Sequence, residues 1–402
     1  MELRTTNEWN EHTIYALRPY RVVGRALGIW PLHMSDKSAL PQVIFVTFML
    51  VSLCIDLVRQ LLVRGNCGIT PIEIVDIVTI IVSGFILSVR VIMPYIHQSD
   101  MYEIIKSAVE DWSKVGERES RRIMLQHAFI GRVFFIIQTS SLYAAAAQVV
   151  VNRLPFLVAF WNQQAGINGS IYGYPIGPKC WLSDDISMGY YTAAYIFQSA
   201  QVIVLCATSC GCDTVLFGIA MHICGQYELL YRSMENIYMT DYIREHKRSL
   251  HTFIKRHEHL LVMATHFEDT YTVMILCSVM ANAILLTTTG IVLLICLQTG
   301  EDIVTMSGLI IRLYIFFIQL FVYSYVGQRL SDQSQKLRDA IYNSCWYHLS
   351  PVILKDMIFI IMRCTRQFDL TAGNMFVMNI ENFMQMLKTM FSYFSVLRIM
   401  FS

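Results

Sequence analysis

The chain alternates long apolar segments with shorter polar ones. Each apolar segment has about 20 residues or more, the length an α-helix needs to cross a bilayer's hydrocarbon core of about 30 Å. Charged or turn-forming residues end each segment. The pattern therefore predicts seven membrane-spanning helices, near residues 41–63, 71–96, 129–151, 190–223, 266–297, 303–326 and 380–400.

The last apolar segment carries a polar stripe. Steps of three and four residues place its members on one face of a helix. The residues of this stripe, including its apolar continuation, are Asn382, Gln385, Thr389, Ser392, Val396 and Met400. Because a polar group in lipid would lack a hydrogen-bond partner, this face should meet protein or water. Two interpretations stay open: a water-filled path ending at an apolar constriction, and a helix–helix interface held by amides and hydroxyls.

Composition agrees with a membrane location. Hydrophobic residues make up 55% of the 402 residues and charged residues only 15%, whereas soluble domains have about 25% charged residues. The formal net charge is +1, and no basic tract favours nucleic-acid binding. We therefore expect an integral membrane protein that has the lipid bilayer as a partner and does not bind nucleic acid.

Basic residues fall in alternate polar segments. They cluster before the first span and after the second, fourth and sixth, while the other connections hold few. Because cytoplasmic segments are enriched in Lys and Arg, we expect a cytoplasmic amino terminus and an extracellular carboxyl terminus. The single Asn-x-Ser/Thr acceptor, Asn168, then lies outside, as glycosylation requires. A G-protein-coupled receptor would have seven spans in the opposite sense.

Two amphipathic stretches follow the sixth span. Leu337 and Ile341 have helical spacing after Ser331, and Ser350-Pro351 is typical of an N-cap and first turn. We predict two helices that form an intracellular helical layer with the extended inner ends of spans four and five. This layer is either a platform for subunit assembly or a local cap on a monomeric bundle.

Aromatic, aliphatic and small residues concentrate in the predicted outer halves of spans two, three, four and six. Large rings beside alanines leave space, and a few hydroxyls or amides would orient a small apolar ligand. Ordinary helix packing explains any one of these residues more simply, so the hypothesis concerns the set. The candidate ligand-binding residues are Ile81, Phe85, Ser140, Tyr143, Ala147, Tyr191, Tyr195, Gln198, Ile311 and Tyr314.

Charged residues inside the spans should have partners. Each costs about 2.5–3.5 kcal/mol at a helix centre, so we expect structural ion pairs for most of them. Arg312 has no acidic residue nearby on its own helix, and its partner is open. The residues concerned are Asp56, Asp76, Arg90, Asp213, Arg312 and Lys388.

No pattern of a catalytic, cofactor or metal site is present in the sequence. The HExxH, GxSxG and P-loop patterns are absent. Cys206, Cys210 and Cys212 are close in sequence, but no histidine or second cysteine cluster completes four metal ligands. We therefore predict neither an enzyme nor a cofactor.

Several short motifs stand in order near the carboxyl terminus. They include residues 323–328 (YSYVGQ), 340–342 (AIY), 346–347 (WY), 370–373 (LTAG) and 392–394 (SYF). In this order and at this distance from the terminus, they resemble the insect odorant receptors. Before residue 320 the likeness is limited to length, number of spans and inverted topology.

This resemblance implies an all-α membrane protein that forms a ligand-gated, non-selective cation channel. Four subunits would assemble through the cytoplasmic helices, and each last helix would line a central pore with Val396 and Met400 at the hydrophobic gate. A small volatile ligand would bind in the outer half of the bundle. The implied regions are a cytoplasmic segment (1–40), helices one to six with the ligand pocket (41–328), cytoplasmic assembly helices (329–373) and the pore-lining helix (374–402).

The resemblance also bears on the type of subunit. The family's co-receptor is longer and has a large insertion between spans four and five, whereas residues 224–265 form a short connection here. This favours an odour-tuned subunit that joins the co-receptor in a hetero-tetramer in the plasma membrane of sensory neurons. Ser392-Tyr393 lacks the Gln-Phe pair that follows in gustatory receptors. A gustatory-type or G-protein-coupled chemoreceptor is the alternative.

Overall fold

The fold consists almost entirely of α-helices. The computed structural model describes residues 9–31, 37–64, 71–151, 154, 173–177, 187–236, 243–300, 303–344, 346–348 and 350–401. The helices are α1 (Glu11–Leu27), α2 (Leu40–Arg64), α3 (Pro71–Ile96), α4 (Gln98–Lys114), α5 (Arg118–Val151), α6 (Met188–Asn236), α7 (Ile243–Thr299), α8 (Ile303–Asn343), α9 (Pro351–Cys364) and α10 (Ile380–Phe401). Two-residue strands β1 (Thr371–Ala372) and β2 (Phe376–Val377) pair antiparallel between α9 and α10.

Each predicted span lies within one helix. Helices α2, α3 and α10 agree with their predicted spans to within about one residue at either end, whereas α5, α6, α7 and α8 continue past theirs. All four extensions project from the same end of the bundle. Hydropathy marks where the apolar segment stops, but the backbone helix continues because the extension is amphipathic.

Helix α8 corrects one prediction about this end of the bundle. The sequence predicted a separate helix starting near Ser331, but α8 runs unbroken through that residue to Asn343. Leu330, Leu337 and Ile341 are fully buried along the continuation. Because this buried face is continuous, the packing favours one long helix over a break at the membrane surface.

The long helices have the dimensions of membrane spans. Within the described residues, the six helices α2, α3, α5, α6, α7 and α8 are long and apolar enough to cross a bilayer. Helix α10 has 22 residues, which reach about 33 Å at 1.5 Å per residue. The prediction of an all-α membrane protein is confirmed, and its orientation stays a prediction.

Helix α6 occupies the centre of the bundle. Of its apolar stretch 72% is buried, compared with 17–44% for the other five apolar helices. It packs against α1, α2, α3, α5, α7 and α8. By contrast, Ile44, Phe48 and Ile55 on α2 are about 60% exposed, which is typical of a surface that faces lipid. The core therefore surrounds α6.

Helices α1, α4 and α9 lie at the end where the long helices extend. Ser350 takes the predicted N-cap position of α9, but its Oγ has no hydrogen-bond partner among the described residues. Cys364 on the inner face is buried, and burial raises the pKa of its thiol to about 12, so it packs as a small apolar group. On the outer face Phe359 and Met362 are exposed. An apolar surface of α9 is thus left uncovered in the single chain.

Candidate functional site

A cavity of about 410 Å³ opens between α3, α5, α6, α7 and α8. It lies where α3 begins, α5 ends and α8 begins, at the end of the bundle opposite to α9. Much of its wall is apolar and includes Ile77, Leu142, Val202, Leu285 and Phe316. Small-molecule sites have volumes of about 300–1,000 Å³ and mostly apolar walls, so the cavity has the size and character of a ligand pocket.

An ion pair joins two helices in the cavity wall. Arg312 on α8 donates from Nη1 to Asp76 Oδ1 on α3, and their side chains are 25% and 34% exposed. This contact supplies the partner of Arg312 that the sequence left open. Nearby, Gln148 Nε2 donates to Ser307 Oγ at 3.3 Å. A ligand in the cavity therefore meets both a guanidinium and a carboxylate.

A second, buried ion pair lies deeper, beside the cavity. Arg90 on α3 donates to Asp213 on α6, and each side chain is 2% exposed. Asp213 also accepts hydrogen bonds from Gln319 Nε2 and Tyr323 Oη, both at 2.8 Å. Asn282 on α7 donates to Gln319 Oε1 at 2.7 Å. Since Arg90, Asn282 and Gln319 line the cavity, this network links its wall to four helices.

Four of the candidate ligand-binding residues lie at or beside this cavity. Ile311 lines it. Tyr191, Tyr195 and Gln198 are buried but use their polar groups on the backbone: the tyrosine hydroxyls donate to carbonyl oxygens at 3.1 Å and 2.6 Å, and the Gln198 side chain bonds Ile176. They position the segment that carries Ile176, itself a lining residue.

The other candidates lie on different helix faces. Ile81 is partly buried and packs in a neighbouring apolar cluster. The remaining five are exposed: Phe85, Ser140, Tyr143, Ala147 and Tyr314. The cavity is lined instead by residues one or two positions away, including Ile86, Leu142, Ala146 and Ile315. The candidates therefore share helices with the cavity wall but differ from it in the rotation of each helix about its axis, and their role in ligand binding stays a prediction.

The predicted stripe on α10 lies mostly on an uncovered face. Gln385, Thr389, Ser392 and Val396 are exposed in the single chain, whereas Asn382 is half-buried and donates to the Val377 carbonyl at 2.7 Å. Met400 lies in the last turn of the same helix. The opposite face packs on α7 and α8, so the stripe is available to water or to another subunit.

Aromatic packing connects α10 to the helix that lines the cavity. The Phe383 ring is 5.5 Å from the Phe317 ring and 5.8 Å from the Phe321 ring, centre to centre. Both partners are on α8, which also supplies Phe316 and Gln319 to the cavity wall. One rigid helix therefore touches both the candidate ligand cavity and the candidate pore helix.

The sequence predicts no metal site and one glycosylation site. Within the ranges that the structure describes, no group of three or more His, Cys, Asp or Glu side chains could hold a metal ion. Cys206, Cys210 and Cys212 are free thiols there. The predicted glycosylation site, Asn168, lies outside the described residues.

Sequence comparisons place this chain beside known chemosensory proteins. A family model described as 7tm Odorant receptor matches residues 70–391. Odorant receptor Or2 of Anopheles gambiae is 37% identical over 87 residues, covering 21% of this chain and 23% of the relative. Odorant receptor 13a of Drosophila melanogaster is 24% identical over 233 residues, covering 52% of this chain and 53% of the relative. The alignments thus span about a quarter to a half of these relatives' lengths.

The fold has a solved counterpart. The insect olfactory receptor OR5 from Machilis hrabei, in complex with eugenol, aligns with 97% of this chain and 100% of its own, with a TM-score of 0.76 and 14% sequence identity. That similarity establishes the fold alone. Because the family model covers most of the chain, the protein belongs to the insect odorant receptor family, the 7tm odorant receptors, whose members are multi-pass membrane proteins.

Proposed function

We propose that this protein is an odour-tuned subunit of a non-selective cation channel that works with the family's co-receptor. The observation that carries the proposal is the 410 Å³ cavity, whose lining helix α8 also packs on α10. The amino terminus would be cytoplasmic and the cavity would lie in the outer half of the membrane.

The cavity favours a small volatile ligand with an apolar body and one polar group. Most of the wall offers only dispersion contacts, while Arg312 and Asp76 offer hydrogen-bond donors and acceptors at one place. A hydroxyl or carbonyl group on the ligand would form hydrogen bonds with these two side chains, whereas a hydrocarbon could form none. The solved relative OR5 was captured with eugenol, a small volatile compound.

Channel opening would follow from a shift between two arrangements of the bundle. A ligand can move that equilibrium only by as much as it binds one arrangement better than the other. Ile315, Phe316 and Gln319 touch the cavity, and Phe317 and Phe321 on the same helix touch Phe383 of α10. We place the coupling in this shared helix.

The pore and the assembly surface would come from the two uncovered faces. In a hetero-tetramer the stripe from Asn382 to Met400 would line the central pore, with Val396 and Met400 forming an apolar constriction. The exposed face of α9, with Phe359 and Met362, would pack on the neighbouring cytoplasmic helices. The α9 face would then be buried in the assembled channel, whereas the α10 stripe would stay in contact with the water of the pore.

Filling the cavity tests the ligand site. Gly308 lines the cavity, and a Cβ at this position would have no heavy atom within 4 Å. Gly308→Leu should therefore place a side chain in the ligand's volume without a backbone clash. We expect ligand potency to fall at least about tenfold while ion selectivity stays unchanged, because an overfilled site excludes its ligand. Whole-cell currents with the co-receptor measure both quantities.

Phe85→Leu is the matched control. Phe85 is 69% exposed and does not line the cavity, although its neighbour Ile86 does, so its shortening should leave potency within about twofold of the wild type. Equal potency for Gly308→Leu and the wild type, at equal surface expression, would remove the cavity from the proposal.

A further inference from the structure

A second, much smaller void lies between α1, α4, α5 and α6. Its volume is about 10 Å³, and its wall includes Tyr20, Trp112, His127 and His222. A cavity that holds one water molecule has a volume of about 10–15 Å³. The void is therefore close to the size of a single water molecule and is separate from the ligand cavity.

Four residues that line this void each carry a buried polar atom without a protein partner. Tyr20 Oη, Trp112 Nε1, His127 Nδ1 and His222 Nδ1 are buried and make no hydrogen bond within the described part of the chain. Their residues are only 3%, 2%, 4% and 9% exposed. A buried polar group left without a hydrogen-bond partner destabilises the folded protein. Because four such polar groups belong to residues around a single void, we expect one polar ligand to bind them together.

Two glycines fix the position of the Tyr20 hydroxyl. A Cβ on Gly131 of α5 would lie 2.5 Å from Tyr20 Oη, and a Cβ on Gly218 of α6 would lie 2.6 Å from the Tyr20 ring. Only glycine at both positions admits the ring between the two helices. The hydroxyl is therefore held at the void.

The hydrogen bonds on the far sides of the imidazoles set their roles. His127 Nε2 is 2.9 Å from Glu228 Oε2, and His222 Nε2 is 3.2 Å from Asp111 Oδ2. An ionised carboxylate only accepts hydrogen bonds, so each Nε2 carries the hydrogen. In the neutral imidazole the opposite atom, Nδ1, is then an acceptor.

We infer that the void binds one ordered water molecule. Its two hydrogens go to His127 Nδ1 and His222 Nδ1, and its oxygen accepts from Trp112 Nε1 and Tyr20 Oη. Two donors and two acceptors are the complement that one water molecule provides, so every unpartnered atom of the set is satisfied. Trp112, which donates only, selects a ligand with an acceptor lone pair.

This water molecule would anchor the amino-terminal helix. Tyr20 belongs to α1, and its three companions belong to α4, α5 and α6. The amino-terminal end of α1 is tied separately, since Asn10 Nδ2 donates to the Trp112 carbonyl at 3.1 Å. A directional contact midway along α1 would fix its rotation as well as its position.

A double-mutant cycle tests the shared water molecule. Tyr20→Phe and Trp112→Phe each remove one bond to it, so each should lower the melting temperature of the purified full-length protein. If both side chains act through one molecule, the double variant should lose clearly less than the sum of the two single losses. Additive losses, or single variants as stable as the wild type, would overturn the inference.

Tyr227→Phe supplies the control. The Tyr227 hydroxyl is also buried and unpartnered within the described residues, but Tyr227 is not part of the void's wall. Its combination with Trp112→Phe should be additive, and coupling as strong as that of Tyr20 would contradict the assignment. A high-resolution experimental structure gives a second test. One density peak within hydrogen-bond distance of all four atoms supports the site, and a void without such a peak refutes it.

Discussion

At the scale of single residues, two ion pairs of the same chemistry sit in different surroundings. Arg90 and Asp213 are almost fully buried, whereas Arg312 and Asp76 remain about a quarter to a third exposed. The sequence identified all four residues because charge inside an apolar span is rare. The sequence alone could not show which of these residues pair, since the partners are separated by 123 and 236 positions in the chain.

The buried pair should matter more for stability than the exposed one. Asp213→Asn removes the charge that compensates Arg90, and breaking a buried pair in this way costs about 3–5 kcal/mol. Asp76→Asn at the partly exposed pair should cost about 1 kcal/mol or less. Thermal unfolding of the detergent-purified variants compares the two. Losses of similar size would contradict the assigned difference in burial.

Gly327 lies where the backbone of α8 closely approaches the segment that leads into α10. A Cβ on Gly327 of α8 would lie 1.9 Å from the Met378 carbonyl oxygen, just before α10. Gly327→Ala must therefore displace the segment that leads into α10, and we expect most of the surface protein to be lost. Gly116→Ala, where a new Cβ meets no atom within 4 Å, should retain wild-type surface expression. Surface biotinylation measures both, and equal expression would refute the predicted clash.

At the scale of helices, the sequence located the spans better than it oriented them. Apolar length predicted where each span lies, because lipid requires about 20 apolar residues in a helix. Lipid is as apolar as the protein core, so no polar face marks the outward side of α3, α5 or α8. For this reason Phe85 and Tyr143 were candidates although Ile86 and Leu142 line the cavity.

Among the predicted spans, α10 had a helix face that could be predicted, since its polar stripe distinguishes one side. We expect Val396→Ala to raise the basal current or change ion selectivity, because a smaller side chain weakens an apolar constriction. Phe391→Ala, exposed but outside the stripe, is the control. Patch-clamp recordings with the co-receptor measure basal current and reversal potential. Wild-type behaviour of Val396→Ala at normal surface expression would argue against the gate.

At the scale of the whole molecule, the family motifs mark a structural junction. Tyr323, Val326, Leu370 and Ala372 are all completely buried. The Met378 amide donates to the Leu370 carbonyl at 2.8 Å and the Gly373 amide to the Thr272 carbonyl at 3.0 Å, so α7, α8 and the β-hairpin meet where α10 begins. Close packing at this junction restricts which residue types fit. This explains why the family motifs could be recognised in the carboxyl-terminal part of the sequence. The cavity wall, built from five separate helices, left no comparable motif.

We propose that an odorant opens a cation channel that contains this chain and the co-receptor. The most direct test records whole-cell current in cells that express the chain alone or with the co-receptor, while volatiles are applied and G-protein signalling is blocked. We predict a fast, ligand-evoked cation current that requires the co-receptor and survives the block. A response that appears only with intact G-protein signalling, or an equal current without the co-receptor, would contradict this account.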